Sequence, residues 1–120
     1  MQLNHHRAGS GEPLVLIHGI GSRWQVWEPI LDRLASEREV IALDLPGFAG
    51  SPVPPPGTPA GVPSLTLLVG EFLDELGLDR PHVAGNSLGG WIALELAKLG
   101  RVRSATAHSP AGFWNRSEAI

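Results

Sequence analysis

Four short apolar runs, separated by stretches with helical spacing or by turn residues, set the pattern of this chain. Leu14-Val15-Leu16-Ile17 follows Pro13 without a polar interruption and is closed by His18-Gly19. Such a run predicts a parallel strand buried on both faces. Pro29 suits the first turn of a helix, and Ile30, Leu31 and Leu34 recur at helical spacing with Asp32, Arg33 and Glu37 between them. Val40-Ile41-Ala42-Leu43 reads as a second strand, ended by Asp44-Leu45-Pro46-Gly47.

Residues 50–63 hold six prolines and three glycines, which predicts a long surface loop able to form neither helix nor inner strand. Ser64 offers an N-cap oxygen. Leu65, Leu68, Val69, Phe72, Leu73 and Leu76 then line one helical face before Gly77. His82-Val83-Ala84-Gly85 predicts a third strand, Trp91 to Leu99 a helix stopped by Gly100, and Val102 to Ala107 a fourth strand. Alternation of strand and helix argues for an α/β fold, a parallel sheet with right-handed crossovers and helices on both faces. Ligands of such sheets bind outside the carboxyl ends of the strands, so the loops that matter begin at His18, Asp44, Ser87 and His108.

Length and composition narrow the class. The chain has 120 residues, 42% hydrophobic and 18% charged, enough for the core of one compact domain and too apolar for a solvated disordered chain. A net charge of −3 without a Lys/Arg stripe gives a nucleic-acid backbone no electrostatic footing. Zero cysteines exclude disulfides, thiolate nucleophiles and Cys-based zinc sites, and make a reducing compartment the default. Asn4, His5, His6 and Arg7 stand where a secretory signal needs an apolar run, and no apolar stretch approaches the ~20 residues of a membrane helix. The expectation is a soluble, cytoplasmic protein with no membrane or nucleic-acid partner.

The chemistry concentrates in Gly85-Asn86-Ser87-Leu88-Gly89, a G-x-S-x-G string between an expected strand and an expected helix. In that context the chain reverses so sharply that the serine is strained, and strand and helix approach too closely for side chains at the flanking positions. Gly85 and Gly89 meet that demand. The bend lifts the Ser87 hydroxyl over the sheet edge, where free N–H groups and the positive end of the following helix favour a developing oxyanion. Alone, Ser87 reads as an ordinary helix cap. A second motif, His18-Gly19-Ile20-Gly21 at the end of the first strand, shifts the balance. There the backbone N–H of Ile20 can pair with that of Leu88 as two donors to a tetrahedral oxyanion.

With these residues in view, the sequence resembles the α/β-hydrolase superfamily from Glu12 to Trp114. HGIG resembles its oxyanion turn, DLPGFAGS the loop after its next strand, and GNSLGGWIALELA its nucleophile elbow and following helix. The resemblance implies that Ser87 is the nucleophile and that Ile20 and Leu88 supply oxyanion N–H groups. Residues 1–120 are then the N-terminal portion of one α/β-hydrolase domain, a partial fold lacking the lid and the C-terminal strands. Epoxide hydrolysis and dehalogenation in this superfamily use an aspartate at the elbow, so Ser87 argues against both.

A serine at its ordinary pKa needs a base, and the family's order after the elbow is an acid and then a histidine. Here only Glu95, Glu118 and His108 follow Ser87. Glu95 falls eight residues along the outgoing helix, roughly 12 Å up its axis, too far to serve. The resemblance thus implies either a fragment or a truncated gene product, with the triad's acid and base missing from this chain. The expected function is a serine-type hydrolase acting through an acyl-enzyme on a small ester or related carbonyl substrate. The alternative is a non-catalytic half that works only by association with another polypeptide.

Other candidates have blander readings beside the chemical one. His108 ends the strand next to that of Ser87, as a rim residue, a substrate contact or a local base. Trp24 and Trp27 follow the oxyanion turn and either pack or line an acyl pocket. His18 is expected to hydrogen-bond locally, and Asp44 to fix its loop by accepting backbone N–H groups. His5 and His6 read as an exposed pair near a frayed terminus, without a third metal ligand. No cofactor is expected: Trp24 stands where G-x-G-x-x-G/A needs a small residue, and no G-x-x-x-x-G-K-[ST] occurs.

Overall fold

The computed structural model describes residues 1–112. Trp114 and Glu118 lie outside the described residues. Five strands form one sheet: β1 (His5–Ala8), β2 (Pro13–Ile17), β3 (Glu39–Leu43), β4 (His82–Asn86) and β5 (Ser104–His108), in the order β1-β3-β2-β4-β5. A 3-10 turn (Trp24–Trp27) leads into α1 (Glu28–Ala35), and α2 (Val62–Glu75) and α3 (Leu88–Lys98) complete the elements.

Strands β2 to β5 pair in parallel as expected, but β1 runs antiparallel to β3, so the sheet is mixed. The expectation of a frayed terminus is therefore corrected. His5 and His6 sit within β1, where the alternation of a strand sends them to opposite faces. His5 meets Phe72 edge-on at 5.1 Å, and His6 stacks on Trp24 at 4.5 Å. Arg7 pairs with Glu39 across the strands at 2.9 Å. Polar side chains hid this strand because an edge strand needs only half its residues to pack.

The apolar runs split by parity between two cores. Leu14, Leu16, Val40 and Ala42 face α1 and the 3-10 turn, whereas Val15, Ile17, Ile41 and Leu43 face α2 and α3 through Phe72, Leu73, Ile92 and Leu96. That two-faced burial is why β2 and β3 read as continuous hydrophobic runs.

Helix α2 begins earlier than expected. Its N-cap is Gly61, at φ 120°, and Ser64 lies inside the first turn rather than at the cap. Pro63 belongs to the helix because first-turn N–H groups have no intrahelical acceptor, so proline forfeits nothing there. Likewise α3 starts at Leu88, directly after Ser87, rather than at Trp91.

Candidate active site

Strand register decides which loops meet. Ile17 pairs with both Leu43 and Gly85, and Asn86 pairs with His108. The residues that follow, His18, Asp44 and Ser87, therefore emerge along one edge of the sheet with His108 beside them.

Ser87 joins β4 to α3 at φ 55° and ψ −115°, a region that side-chain-bearing residues avoid. Its own peptide groups hold it there. Its N–H donates to the carbonyl of His108 at 3.0 Å, and its carbonyl accepts from the N–H groups of Trp91 and Ala111, each at 3.1 Å. Strain of this kind persists only where the surroundings over-determine it. The hydroxyl gives nothing back to the helix, since it makes no capping hydrogen bond.

Both flanking glycines are required by the closeness of the turn. A Cβ on Gly85 would stand 2.1 Å from the carbonyl oxygen of Gly89, and one on Gly89 would stand 2.1 Å from that of Ile17. The start of α3 thus rests on the end of β2. The adjoining turn touches the elbow as well: a Cβ on Gly19 would lie 3.4 Å from the Cβ of Ser87. Among the described residues, neither the N–H of Ile20 nor that of Leu88 has a protein acceptor. The Ile20 side chain itself is 76% exposed.

Behind this edge lies a buried polar layer. His18 is fully buried; its Nε2 accepts from the Leu45 N–H at 3.0 Å, which leaves Nδ1 as the protonated nitrogen, donating to the Gly19 carbonyl at 2.6 Å. Burial pulls its pKa below the ordinary histidine value, against weaker opposing pulls from the Gly19 carbonyl and the charge of Asp44. The buried Asp44 carboxylate accepts from Trp24 N–H at 2.7 Å, Gly50 N–H at 3.0 Å and the Asn4 side-chain amide at 2.8 Å. It fixes the loop, as expected from sequence, and reaches the 3-10 turn too.

A cavity of about 210 Å³ opens at this edge between Val26, Trp27, Asn86 and His108. Trp24 is not on its wall: its ring stacks on His6, and its neighbour Trp27 takes the position at the cavity. His108 lines the cavity, and its carbonyl accepts from the Ser87 N–H. Val26 and Asn86 were not singled out from sequence. Asn86 carried a signal, lying inside the G-x-S-x-G string; Val26 carried none, since a lone exposed valine in a short 3-10 turn looks like any other. Glu95 pairs with Lys98 on α3 at 3.4 Å. Among the described residues no three His, Asp or Glu side chains converge as metal ligands, and no helix is long and apolar enough to cross a membrane.

A strand, a strained serine and a helix on a mostly parallel sheet define the architecture of the α/β hydrolases. Residues 14–118 match the model of the alpha/beta hydrolase family, and the chain belongs to that family. It is 39% identical over 100 residues to a 2-hydroxy-6-oxo-2,4-heptadienoate hydrolase of Pseudomonas putida, a match covering 81% of this chain and 36% of the relative. A shorter match, 59% over 44 residues, relates 37% of the chain to 21% of an epoxide hydrolase of Mycobacterium tuberculosis. Its fold superposes on the crystal structure of a hydrolase from Pseudomonas aeruginosa with a TM-score of 0.84 at 27% identity, over 98% of this chain and 45% of that one. The chain thus spans about a third of the length of the curated relatives it matches, and it corresponds to part of an α/β-hydrolase fold.

Proposed function

We propose that Ser87 is the nucleophile of a serine-type hydrolase that attacks the carbonyl of a small acyl substrate and passes through an acyl-enzyme. The observation that supports this most strongly is the strained backbone of Ser87 combined with a hydroxyl that caps nothing. The N–H groups of Ile20 and Leu88 would hold the oxyanion. The cavity lined by Val26, Trp27, Asn86 and His108 opens at the same end of the sheet as Ser87 and offers apolar surface for an acyl group. A general base takes the Ser87 proton and returns it to the departing alcohol as the acyl-enzyme forms; water, activated by the same base, then releases the acid and frees the serine.

A serine also favours this chemistry over the epoxide opening named for one relative. Attack on an epoxide by a hydroxyl leaves an ether, which has no carbonyl for water to attack. An acyl ester on serine turns over. In this reading the base and its orienting acid come from residues not carried by this sequence, and the protein works in the cytoplasm on a free small molecule.

The test is exposure of the chain to a fluorophosphonate probe with adducts mapped by mass spectrometry. Two amide donors placed to hold the oxyanion of the attacked phosphonyl group single out Ser87, so it is expected to be labelled ahead of every other serine and Ser87→Ala to remove the adduct. Equal labelling of all serines rejects the nucleophile. His108→Ala separates the sources of base: an unchanged rate fits a base outside the chain, and a large drop assigns it to His108. A second reading, a half that acts by association, draws on β5, which among the described residues pairs with β4 alone and exposes Ser104 and Thr106. It predicts no privileged serine.

A further inference from the structure

A hydroxyl, an imidazole and a carboxylate also meet at the opposite end of the sheet. His82 and Ser104 open β4 and β5 and stand opposite one another in the parallel register. Side chains so paired share one face of the sheet. Glu12 comes just before β2, whose Leu14 pairs with His82. This cluster lies roughly 16 Å from Ser87, five residues back along β4 at about 3.3 Å per residue.

The three groups are ordered as nucleophile, base and orienting acid. Ser104 Oγ is 2.6 Å from Nδ1 of His82, and Nε2 of the same ring is 3.1 Å from Oε1 of Glu12. A carboxylate can only accept, so it favours the ring proton on Nε2. Nδ1 of the neutral ring is then an acceptor, and the Ser104 hydroxyl donates to it. Glu12 is fixed in turn by Arg103, which reaches the same Oε1 at 2.6 Å. A hydroxyl in hydrogen-bond reach of a base, with that base oriented by a third group, is the arrangement that activates a serine.

A reagent can reach this hydroxyl. Ser104 is exposed, and a cavity of about 60 Å³, the space of about two waters, is lined by Glu12, Arg80, His82 and Arg103 among others. Ser36 is the ordinary counterpart: it is exposed too, but its hydroxyl donates to the Arg33 carbonyl, which takes no proton.

We propose that Ser104 is an acyl-acceptor site, taking a small acyl group from an activated ester with His82 as base and Glu12 as its orienting acid. Oγ bonds to the acyl carbon, and the bond from that carbon to the departing oxygen breaks. The hydroxyl proton passes to Nδ1 of His82 and from there to the departing oxygen. The products are O-acylated Ser104 and an alcohol or phenol. This assignment stands apart from the role of Ser87.

The test is p-nitrophenyl acetate added to the full chain carrying Ser87→Ala, with acetylated residues mapped by mass spectrometry over time. Ser104 is expected to be acetylated about 10²-fold faster than Ser36, the lower end of what a positioned general base supplies. His82→Asn keeps an amide near the place of Nδ1 to pair with the hydroxyl but supplies no base, and should bring Ser104 down to the rate of Ser36. Glu12→Gln should slow Ser104 by up to about fivefold, the scale of an exposed ion pair. Acetylation of Ser104 no faster than that of Ser36, or unchanged in His82→Asn, overturns the proposal. If His82→Asn fails to fold, the parent chain decides: the nitrogen shifts of the neutral His82 ring must report the Nε2–H tautomer, and an Nδ1–H tautomer overturns the assignment.

Discussion

At Ser87 the backbone adopts φ 55° and ψ −115° while three peptide hydrogen bonds hold it there. Strain at one residue of this kind costs about 1–3 kcal/mol, and glycine escapes most of it. Ser87→Gly is accordingly expected to raise stability by about 1–2 kcal/mol, read as a higher urea midpoint, while ending reaction with a fluorophosphonate. Ser87→Ala keeps the Cβ and the strain, so it should change stability little. A stable glycine variant beside a neutral alanine variant would locate the cost in the backbone; equal midpoints would remove the strain argument.

Between elements, the decisive contacts are backbone against backbone. Gly85 and Gly89 let α3 descend onto β4 and β2, and a methyl group on either would meet a carbonyl oxygen at 2.1 Å. Gly85→Ala and Gly89→Ala are expected to cost more than about 3 kcal/mol, above the usual overpacking range because main chain cannot rotate aside. Gly100, at φ 71° with open space around its missing Cβ, should cost only about 1 kcal/mol on the same change. Denaturant titration of the three variants checks the contrast. On the same side of the sheet, Phe72 of α2 is nearly fully buried against the core and the β1 edge, and Phe72→Ala should cost about 3–5 kcal/mol.

Across the whole molecule, two titrating groups tie strands together and fix the sign of the acid response. His18 has its folded pKa below the ordinary 6.5, so between these two values the unfolded chain binds more protons and stability falls as pH drops. Glu12 is held below its ordinary 4.5, first by His82 at 3.1 Å and then by Arg103 at 2.6 Å, joining the starts of β2, β4 and β5. Its contribution is present above 4.5 and disappears as pH falls through the folded value. Urea midpoints from pH 7 downward should therefore fall first with His18 and then with Glu12. His18→Asn is expected to erase the first fall and Glu12→Gln to lessen the second slightly, since the Glu12 pair is solvent-exposed. Much of this architecture was legible in the chain. The parity of Leu14 to Ile17 and Val40 to Leu43 specified two-faced strands, because such runs have nowhere to be but between layers. The glycines around Ser87 specified the elbow, because no other residue tolerates that approach. Other features depended on distant partners: β1 became a strand through Glu39, Phe72 and Trp24, Val26 became a cavity wall through His108, and His18 gained its tautomer from Leu45. Local pattern records what a residue must avoid, namely water or crowding. Which group it meets across the fold is settled only when register and crossover bring the strand ends to one edge.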